Sequence, residues 1–246
     1  MDVVGVIPAR YSSTRFEGKV LADIGGKPML QHVWERAKQT LILDDVIIAC
    51  DHPLVADTAK GFGAKVVMTS KQHISGTDRI IEVVNPLEVK VVVNIQGDEP
   101  FIHPMMIEAV ASALLNNPQI NMATIMKKIT DAQEINDPHV VKVVVDKNNF
   151  ALYFSRAAIP YRAANSDVAS PVYYKHIGLY AYTKDFLFVY KNLPSSQLEE
   201  TERLEQLRVL DGGFRIKVLE TKHETIGVDT PEDLEKAKLH MQKEGR

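Results

Sequence analysis

Short apolar runs alternate with amphipathic stretches through the first half of this chain. Continuous apolar runs are typical of buried strands, and apolar residues three or four positions apart are typical of helices. The predicted strands span residues 3–7, 46–49, 64–68 and 89–95. The predicted helices lie between them, at residues 30–37, 54–62 and 77–84. This alternation predicts an α/β fold with a mostly parallel sheet and right-handed crossover connections.

The pattern changes after about residue 121, where predicted strands follow one another closely. These strands span residues 122–126, 140–145, 150–154, 172–182 and 214–219. Residues 198–210 predict one amphipathic helix, and Thr230 followed by Pro231 predicts the start of a last helix. The polar segment 162–170 predicts a mobile loop. Because no repeat or linker interrupts the chain, we predict a single domain over residues 1–246, with a β-rich part at about 121–195.

The composition of the chain argues against several classes of protein. The 246-residue chain is 45% hydrophobic and 25% charged, and its formal net charge of -3 lacks the basic excess of a typical nucleic-acid-binding domain. No apolar run approaches membrane-spanning length, and the first run stops at Pro8, too early for a signal peptide. The lone cysteine, Cys50, cannot form an internal disulfide. We therefore expect a cytoplasmic protein that binds no nucleic acid and does not insert into a membrane.

The most informative segment is the loop after the first predicted strand. It contains Pro8, Ala9 and Arg10, then small and hydroxyl-bearing residues, and finally Gly18 and Lys19. Backbone N–H groups, guanidinium groups and an ammonium in such a loop can surround a polyanion. The loop matches neither the GxxxxGK[ST] phosphate loop nor the GxGxxG dinucleotide turn. The alternative is an ordinary solvated basic loop after an edge strand.

Two aspartates stand where open α/β sheets place ligand-binding groups, beyond the carboxyl ends of strands. Asp98 follows the predicted strand 89–95, and Asp229 lies just before the predicted last helix. Carboxylates combined with phosphate oxygens are ligands that Mg²⁺ prefers. Asp98 can instead belong to a simple turn, and Asp229 can merely complement the N-terminus of the helix. The sequence does not establish that the two aspartates meet.

Further polar residues suit a nucleoside and a sugar acid. The turn with Ser75 and Thr77 suits a base or a ribose, although either hydroxyl can be an ordinary helix cap. A guanidinium can bind a carboxylate through two parallel hydrogen bonds, and Glu or Gln side chains can bind sugar hydroxyls. The second half offers such a set in Arg156, His176, Glu205 and Gln206. Taken one at a time, each of these residues more often has a structural role.

Segments spread over most of the chain resemble one family, the 3-deoxy-manno-octulosonate cytidylyltransferases, or CMP-Kdo synthetases. Kdo is 3-deoxy-D-manno-octulosonic acid. The similarity runs from Val4 to about Met241, and although no single motif is decisive, the ordered set is highly specific. The characteristic segments are residues 7–10, 18–19, 73–79, 94–100, 151–160, 176–180, 204–210 and 227–234.

The resemblance implies a Rossmann-like nucleotidyltransferase fold, with a mostly parallel mixed sheet, helices on both faces and a smaller β-rich part for sugar binding and dimerisation. It implies a homodimer whose interface includes strands near 151–158 and 172–182. It also implies a reaction in which CMP passes from CTP to the anomeric 2-hydroxyl of Kdo. Pyrophosphate is released, and the product serves lipopolysaccharide synthesis.

The resemblance also implies roles for individual residues. Arg10 and Lys19 match triphosphate-binding positions and, with Asp98, are the predicted catalytic residues. Asp98 and Asp229 match Mg²⁺ ligands. The cytidine nucleotide is expected to contact Ala9, Ser12, Ser75 and Thr77. Kdo is expected to contact Gln96, Arg156, His176, Tyr180, Glu205 and Gln206.

The chain departs from the family pattern in the first loop. It has Phe16-Glu17-Gly18-Lys19-Val20 where the family usually has Leu-Pro-Gly-Lys-Pro. Loss of both prolines predicts a looser loop in the free protein. Glu17 also places negative charge near the triphosphate. Because Lys19 is retained, we expect nucleotide affinity to change more than activity.

Three alternatives remain beside this function. The first is a cytidylyltransferase for another acidic sugar, such as a sialic acid or 8-amino Kdo. The second is a catalytically silent nucleotide-binding module, which predicts loss of Lys19, Asp98 or Asp229, although all three are present. The third is an NAD-dependent dehydrogenase, which needs a glycine-rich turn after the first strand that this chain lacks.

Overall fold

The computed structural model describes residues 1–12, 16–73, 75–164 and 171–244. The chain separates into two compact units, the first formed by Met1–Ser112 with Glu224–Arg246 and the second by Ala113–His223. The single domain over residues 1–246 stays a prediction, and its β-rich part, at about 121–195, belongs to the second unit. Most of the predicted mobile loop, residues 165–170, lies outside the described residues.

Strands alternate with helices in the first unit and follow one another more closely in the second. The strands are β1 (Val3–Ala9), β2 (Asp23–Ile24), β3 (Lys27–Pro28), β4 (Asp45–Cys50), β5 (Lys65–Met68), β6 (Val91–Asn94), β7 (Met122–Lys128), β8 (Lys142–Val145), β9 (Ala151–Ser155), β10 (Tyr174–Thr183) and β11 (Lys217–Thr221). The helices are α1 (Met29–Lys38), α2 (Pro53–Gly61), α3 (Gly76–Val84), α4 (Pro104–Leu115), α5 (Ala132–Asn136), α6 (Lys184–Asn192), α7 (Gln197–Glu202), α8 (Leu207–Asp211) and α9 (Pro231–Glu244). A short 3-10 helix spans Lys19–Leu21.

The first unit contains a parallel arrangement centred on β1. Strand β1 pairs in parallel with β4 on one side and β6 on the other, and β4 pairs in parallel with β5. Strands β1 and β6 are almost completely buried and, apart from the buried Asn94, carry no polar side chain, as is typical of parallel sheets covered by helices. Because the strands run in one direction, the residues after β1, β4, β5 and β6 lie along the same edge. The four predicted strands and their parallel order are confirmed.

The second unit is mainly antiparallel. Strand β10 pairs antiparallel with β7 and β8 pairs antiparallel with β9, whereas β11 runs parallel to β7. The register of β10 shifts between Ile177 and Tyr180, which bulges the strand beside the predicted site residue His176. The predicted strands of this region are confirmed, although several begin or end a few residues from the predicted bounds.

The prediction of one helix over residues 198–210 is wrong. Helices α7 and α8 span this segment and are separated at Arg203, whose φ of 56° lies in the left-handed region. Glu199 completes a capping box at the start of α7 and accepts hydrogen bonds of 2.7 and 2.6 Å from Arg208. This ion pair joins the two helices across the break. Glu205 therefore lies in the turn before α8, and Gln206 is the N-cap of α8 rather than part of a helix face.

Candidate active site

Lys19 lies between the two predicted metal ligands, Asp98 and Asp229, in the first unit. Its Nζ donates to Asp98 Oδ2 at 2.6 Å and to Asp229 Oδ1 at 2.7 Å, and also to the carbonyl oxygen of Val228 at 3.3 Å. The side chain of Lys19 is 13% exposed, whereas those of Asp98 and Asp229 are 31% and 48% exposed. The two aspartates therefore do meet, and Lys19 is their common partner. These three residues are referred to below as the charged trio.

Local packing explains why such distant segments meet. The N–H of Val228 donates to the carbonyl oxygen of Asp98 at 2.9 Å, which ties the segment before Asp229 to the turn after β6. A Cβ at Gly97 would lie 2.9 Å from the carbonyl oxygen of Pro8, so only glycine lets this turn pass so close to β1. The end of β1, the turn after β6 and the start of α9 are thereby held together.

An apolar cluster holds the loops that carry the charged trio. Phe101 and Val228 are buried together with Leu234 and Ala237 of α9, and Phe16 packs against the same cluster. Phe16, Phe101 and Val228 each lie within three residues of one member of the trio. Because packed interiors resist displacement, this cluster fixes the backbone on which all three charged side chains stand.

Electrostatics keep Lys19 charged despite its partial burial. Burial by itself lowers the pKa of a lysine. The charge of Asp98 and the hydrogen bonds to Asp229 and Asp98 outweigh that effect, so the pKa of Lys19 is raised above its ordinary value. An ammonium surrounded by two carboxylates and a carbonyl stands where hard oxygen atoms converge, the kind of position that a small divalent cation takes.

Glu99 is a buried carboxyl that sequence reasoning missed. Burial, followed by the charge of Asp98, raises the pKa of Glu99 to about 8. Its Oε2 has no hydrogen-bond partner among the described residues. Its Oε1 lies 3.0 Å from the position of a Cβ added to Gly227, so the glycine makes room for the carboxyl beside the segment with Asp229. The only sequence signal was its place directly after Asp98.

The predicted nucleotide residues of the first loop follow β1. Ala9 is fully buried at the end of the strand and therefore offers backbone rather than side-chain contacts. Arg10 is exposed, and both Arg10 and Ser12 line a cavity of about 140 Å³. The remaining walls of this cavity are Tyr11, Asp51, His52, Lys71 and His73. Residues 13–15, also part of the first loop, lie outside the described residues.

Ser75 and Thr77 lie at the start of α3, close to the first loop. Ser75 is the N-cap, and its Oγ accepts the N–H of Asp78 at 3.0 Å, which is the capping role left open by the sequence. Thr77 is buried in the first turn. A Cβ at Gly76 would lie 3.5 Å from Cγ of Pro8, so this turn approaches the end of β1. Nucleotide binding by Ser75 and Thr77 stays a prediction.

In the second unit, the predicted sugar residues follow a row of aromatic rings. His176 packs edge-on against Phe154, with ring centroids 5.0 Å apart, and lies 5.4 Å from Tyr180. The row continues through Tyr182 to Tyr190, at centroid distances of 6.0 and 6.1 Å. The hydroxyl of Tyr190 lies 3.1 Å from the carbonyl oxygen of Glu205, to which it donates a hydrogen bond. The structure thus brings His176, Tyr180 and the backbone of Glu205 into one row.

Burial keeps this aromatic row neutral. It lowers the pKa of His176 to about 3, and the ring Nε2 lies 3.0 Å from the hydroxyl of Thr124. It raises the pKa of Tyr180 well above the usual value for a tyrosine. Gln206 is 4% exposed, and its Nε2 has no hydrogen-bond partner within the part of the chain that the structure describes. An unsatisfied buried amide of this kind is suited to a polar ligand atom.

Arg156 and Gln96, also predicted to bind the sugar, already have protein partners. Arg156 donates from Nε to the carbonyl oxygen of Glu202 at 2.8 Å and from Nη1 to that of Pro138 at 2.9 Å. Gln96, which follows β6 in the first unit, donates to Asn94 Oδ1 at 3.3 Å. A bidentate grip of Arg156 on a ligand carboxylate therefore stays a prediction.

Comparison with known proteins places the chain in a family. Residues 4–218 match the family model for cytidylyltransferases. The 3-deoxy-manno-octulosonate cytidylyltransferase of Solibacter usitatus is 53% identical over 234 residues, which cover 95% of this chain and 92% of that protein. The protein of the same name from Flavobacterium johnsoniae is 48% identical over 243 residues, covering 98% and 99% of the two chains.

Solved structures agree with these relatives. A CMP:2-keto-3-deoxy-manno-octonic acid synthetase complexed with CTP matches with a TM-score of 0.93 at 44% identity, covering 99% of this chain and 100% of that one. A 4-diphosphocytidyl-2C-methyl-D-erythritol synthase from Anaerococcus prevotii shares the fold alone, with a TM-score of 0.67 at 15% identity over 98% of each chain. The predicted α/β nucleotidyltransferase fold is thereby confirmed. None of the described helices is long and apolar enough to cross a membrane. The chain belongs to the 3-deoxy-manno-octulosonate cytidylyltransferase family.

Proposed function

We propose that this protein transfers CMP from CTP to the anomeric 2-hydroxyl of Kdo and releases pyrophosphate. The observation that carries the proposal is the charged trio in a cytidylyltransferase fold. Its lysine suits the negative charge of a triphosphate, and its two carboxylates suit the metal ion that accompanies a triphosphate. The names of the relatives at 48–53% identity support Kdo as the acceptor. The CTP bound to the structurally similar synthetase supports CTP as the donor.

In this mechanism, neutralising the negative charge of the triphosphate is the main contribution to lowering the activation barrier. The 2-hydroxyl oxygen attacks the α-phosphorus, and the new P–O bond forms as the bond to the leaving pyrophosphate breaks in line. The hydroxyl proton passes to solvent. Arg10 and Lys19 bind the triphosphate and stabilise the negative charge that develops on pyrophosphate, and this pre-placed charge lowers the barrier. No described side chain is assigned as a general base.

The carboxylates of the charged trio fit Mg²⁺. Two carboxylate oxygens, with a backbone carbonyl beside them, already surround one positive charge, the Lys19 ammonium. The described residues contain no group of three or more His, Cys, Asp or Glu side chains that could hold a metal between them. Because their carboxylates converge on one position, Asp98 and Asp229 would hold the ion together with phosphate oxygens and water. When bound, the ion polarises the α-phosphate and lowers the pKa of the sugar hydroxyl.

For the acceptor, we assign recognition to the neutral polar groups of the second unit, together with Gln96. The buried Nε2 of Gln206 and the ring of His176 suit hydroxyl groups of a sugar because they offer hydrogen bonds without charge. Arg156 is assigned to the sugar carboxylate, and Tyr180 and Glu205 to the surrounding wall. A carboxylate contact by Arg156 is compatible with several acidic sugars, so selectivity among them rests on the other residues.

The test is pyrophosphate release by purified protein supplied with CTP, Mg²⁺ and one sugar at a time. The sugars are Kdo, 8-amino Kdo and N-acetylneuraminic acid, with a control that lacks sugar. We expect release with Kdo alone. Release with another sugar would replace the acceptor and keep the mechanism, whereas CTP binding without release for any sugar would favour a silent nucleotide-binding module.

We further propose a homodimer in the cytoplasm. Leu152 on β9 is 62% exposed and Val172 is 44% exposed, and both apolar side chains lie on the segments assigned to the interface. The free, buried Cys50 is compatible with a reducing compartment. Light scattering is expected to give twice the mass of the chain, and Leu152→Glu is expected to give a monomer. A monomeric wild-type protein would contradict this assignment, and cell fractionation tests the location.

A further inference from the structure

Arg79 on α3 is a fully buried cation that ties together the ends of neighbouring strands. Its relative exposure is 0%, and its Nη2 donates to Asp51 Oδ2 at 2.9 Å. Its Nη1 donates to the hydroxyl of Thr69 and to the carbonyl oxygen of Ser70. Asp51 directly follows β4, and Thr69 directly follows β5. One guanidinium therefore joins the carboxyl ends of two parallel strands to helix α3.

The other oxygen of Asp51 reaches the first loop. Asp51 Oδ1 accepts the N–H of Tyr11 at 3.1 Å, at the residue directly after Arg10. The ring of Tyr11 stacks on His52 with centroids 4.3 Å apart and planes 21° apart. The carbonyl oxygen of Tyr11 accepts the N–H of Gly18 at 2.9 Å, one residue before Lys19. The pair of Asp51 and Arg79 is thus the anchor of the backbone that carries both predicted triphosphate-binding cations.

The buried ion pair of Asp51 and Arg79 is expected to add little to the stability of the fold. Burying two charges costs solvation free energy that their mutual attraction only about offsets, so apolar residues of similar volume often stabilise a fold equally well. Nε of Arg79 has no hydrogen-bond partner among the described residues, which adds to the cost. Unlike an apolar contact, the ion pair fixes the orientation of a hydrogen-bonding group. A carboxylate with one oxygen on the guanidinium can aim the other at a single backbone N–H.

We propose that Asp51, held by Arg79, is a positioning residue for CTP, which fixes the backbone at Tyr11 and thereby aims Arg10 at the triphosphate. The inference rests on the proposed function, because it takes CTP as the ligand of Arg10. Asp51 thereby supplies a backbone hydrogen bond at Tyr11, beside the one between Gly18 and Tyr11, in a loop that lacks the two usual prolines.

The first test compares Asp51→Asn with Asp44→Asn. Asp44 is a matched control because its Oδ2 accepts the N–H groups of Asp2 and Val3 at 2.6 and 3.0 Å, at the opposite end of β1. We expect Asp51→Asn to weaken CTP binding by about tenfold, measured by isothermal titration calorimetry and as KM, with KM for Kdo changed less than about twofold. Asp44→Asn is expected to change neither. Equal CTP affinity in wild-type protein and Asp51→Asn would overturn the proposal.

A double-mutant cycle tests whether Asp51 acts through Arg10. If it does, adding Asp51→Asn to Arg10→Ala changes CTP affinity less than about twofold, because the group that Asp51 aims is already gone. If the double variant lost CTP affinity by the product of the two single losses, action of Asp51 through Arg10 would be contradicted. Normal CTP binding by Arg10→Ala would contradict it as well. If melting temperatures show that Asp51→Asn does not fold, Arg79→Lys replaces it. Lysine keeps the charge but lacks the planar fork, so the same loss of CTP affinity is expected, and unchanged affinity would overturn the proposal.

Failure of this inference can be told apart from failure of the proposed function. CTP binding does not require turnover. A wild-type protein that binds CTP but releases no pyrophosphate with any sugar contradicts the proposed function and leaves the comparison of Asp51→Asn with Asp44→Asn intact. A wild-type protein active with Kdo whose Asp51→Asn variant has normal CTP affinity contradicts only the positioning role.

Discussion

The charged trio of the first unit and the aromatic row of the second unit differ in their electrostatic state. In the first unit, Lys19 forms ion pairs with two partly exposed carboxylates, which also raise the pKa of the lysine. In the second unit, burial lowers the pKa of His176 and raises that of Tyr180, so both are neutral near pH 7. A triphosphate and a metal ion need charge, whereas sugar hydroxyls need shape and neutral hydrogen-bonding groups. The difference is the one expected if the first unit binds the nucleotide and the second selects the sugar.

The largest effect is expected from Asp98→Asn. The change removes one of the two carboxylates proposed to hold the metal ion, so kcat is expected to fall by about 10²-fold or more, with the fold retained. Steady-state pyrophosphate release and a melting curve measure both quantities. Asp45→Asn is the control, because Asp45 pairs with the exposed Lys65 at the other end of β4. Near-normal turnover by a folded Asp98→Asn variant would contradict the metal assignment.

A smaller effect is expected from Lys19→Met, which should strengthen metal binding and weaken nucleotide binding. Without the ammonium, Asp98 and Asp229 lose their common counter-ion, so the free protein is expected to bind Mn²⁺ about tenfold more tightly. CTP binding is expected to weaken, because the triphosphate loses a cation. Electron paramagnetic resonance of free Mn²⁺ measures the first quantity, and calorimetry measures the second. Lys27→Met, which removes an exposed pair with Glu35, is the control, and unchanged Mn²⁺ affinity in Lys19→Met would contradict the account.

The neutral state of His176 predicts a pH dependence of stability. Its pKa is about 3 in the folded protein and ordinary, near 6.5, in the unfolded chain, so only the unfolded chain gains this proton between those values. The free energy of unfolding should fall as pH decreases from about 6.5 toward 3, by at most about 1.4 kcal/mol per unit from this group. Urea unfolding at pH 7.5 and 5 should show a weaker loss for His176→Asn than for wild-type protein. The exposed His139 supplies the control, His139→Asn, and identical pH slopes in all three proteins would refute this origin.

The smallest effect is expected from Tyr190→Phe. The change removes only the hydrogen bond to the carbonyl oxygen of Glu205, worth about 1 kcal/mol. We expect KM for Kdo to rise by about two- to threefold and KM for CTP to stay constant. Tyr161→Phe, at a position that is 88% exposed, is the control. A rise in KM for CTP instead would contradict the assignment of the nucleotide to the first unit and of the sugar to the second.

Strands β1, β4 and β6 were predictable because they are buried on both faces and appear as apolar runs. Helix α4 was not predicted, because its apolar residues surround most of its circumference and leave little helical period. Helix α6 was also missed, since it begins at Lys184, directly after β10 ends at Thr183, with no turn residues to mark the change. The break between α7 and α8 depends on Arg203 and on a side-chain ion pair, which a pattern of leucines does not encode.

The members of the charged trio were predictable one by one, because each follows or precedes an element with a clear signal. Their meeting was not, because it depends on the hydrogen bond between Val228 and Asp98 and on the room at Gly97. The buried positions of Glu99, Asp51 and Arg79 were not predicted. Pattern analysis assigns charged residues to the surface, and only tertiary structure reveals a buried one with a specific partner.

The division of labour between the units is tested most directly by crossed two-substrate kinetics of Lys19→Met and Gln206→Leu. We expect Lys19→Met to raise KM for CTP by about tenfold and KM for Kdo by less than about twofold, and Gln206→Leu to raise KM for Kdo by about tenfold and KM for CTP by less than about twofold. Calorimetric binding of each substrate to each variant checks that the KM values report affinity. If both variants raised the same KM, or if Gln206→Leu left KM for Kdo unchanged, the assignment of Lys19 to the nucleotide and of Gln206 to the sugar would be contradicted.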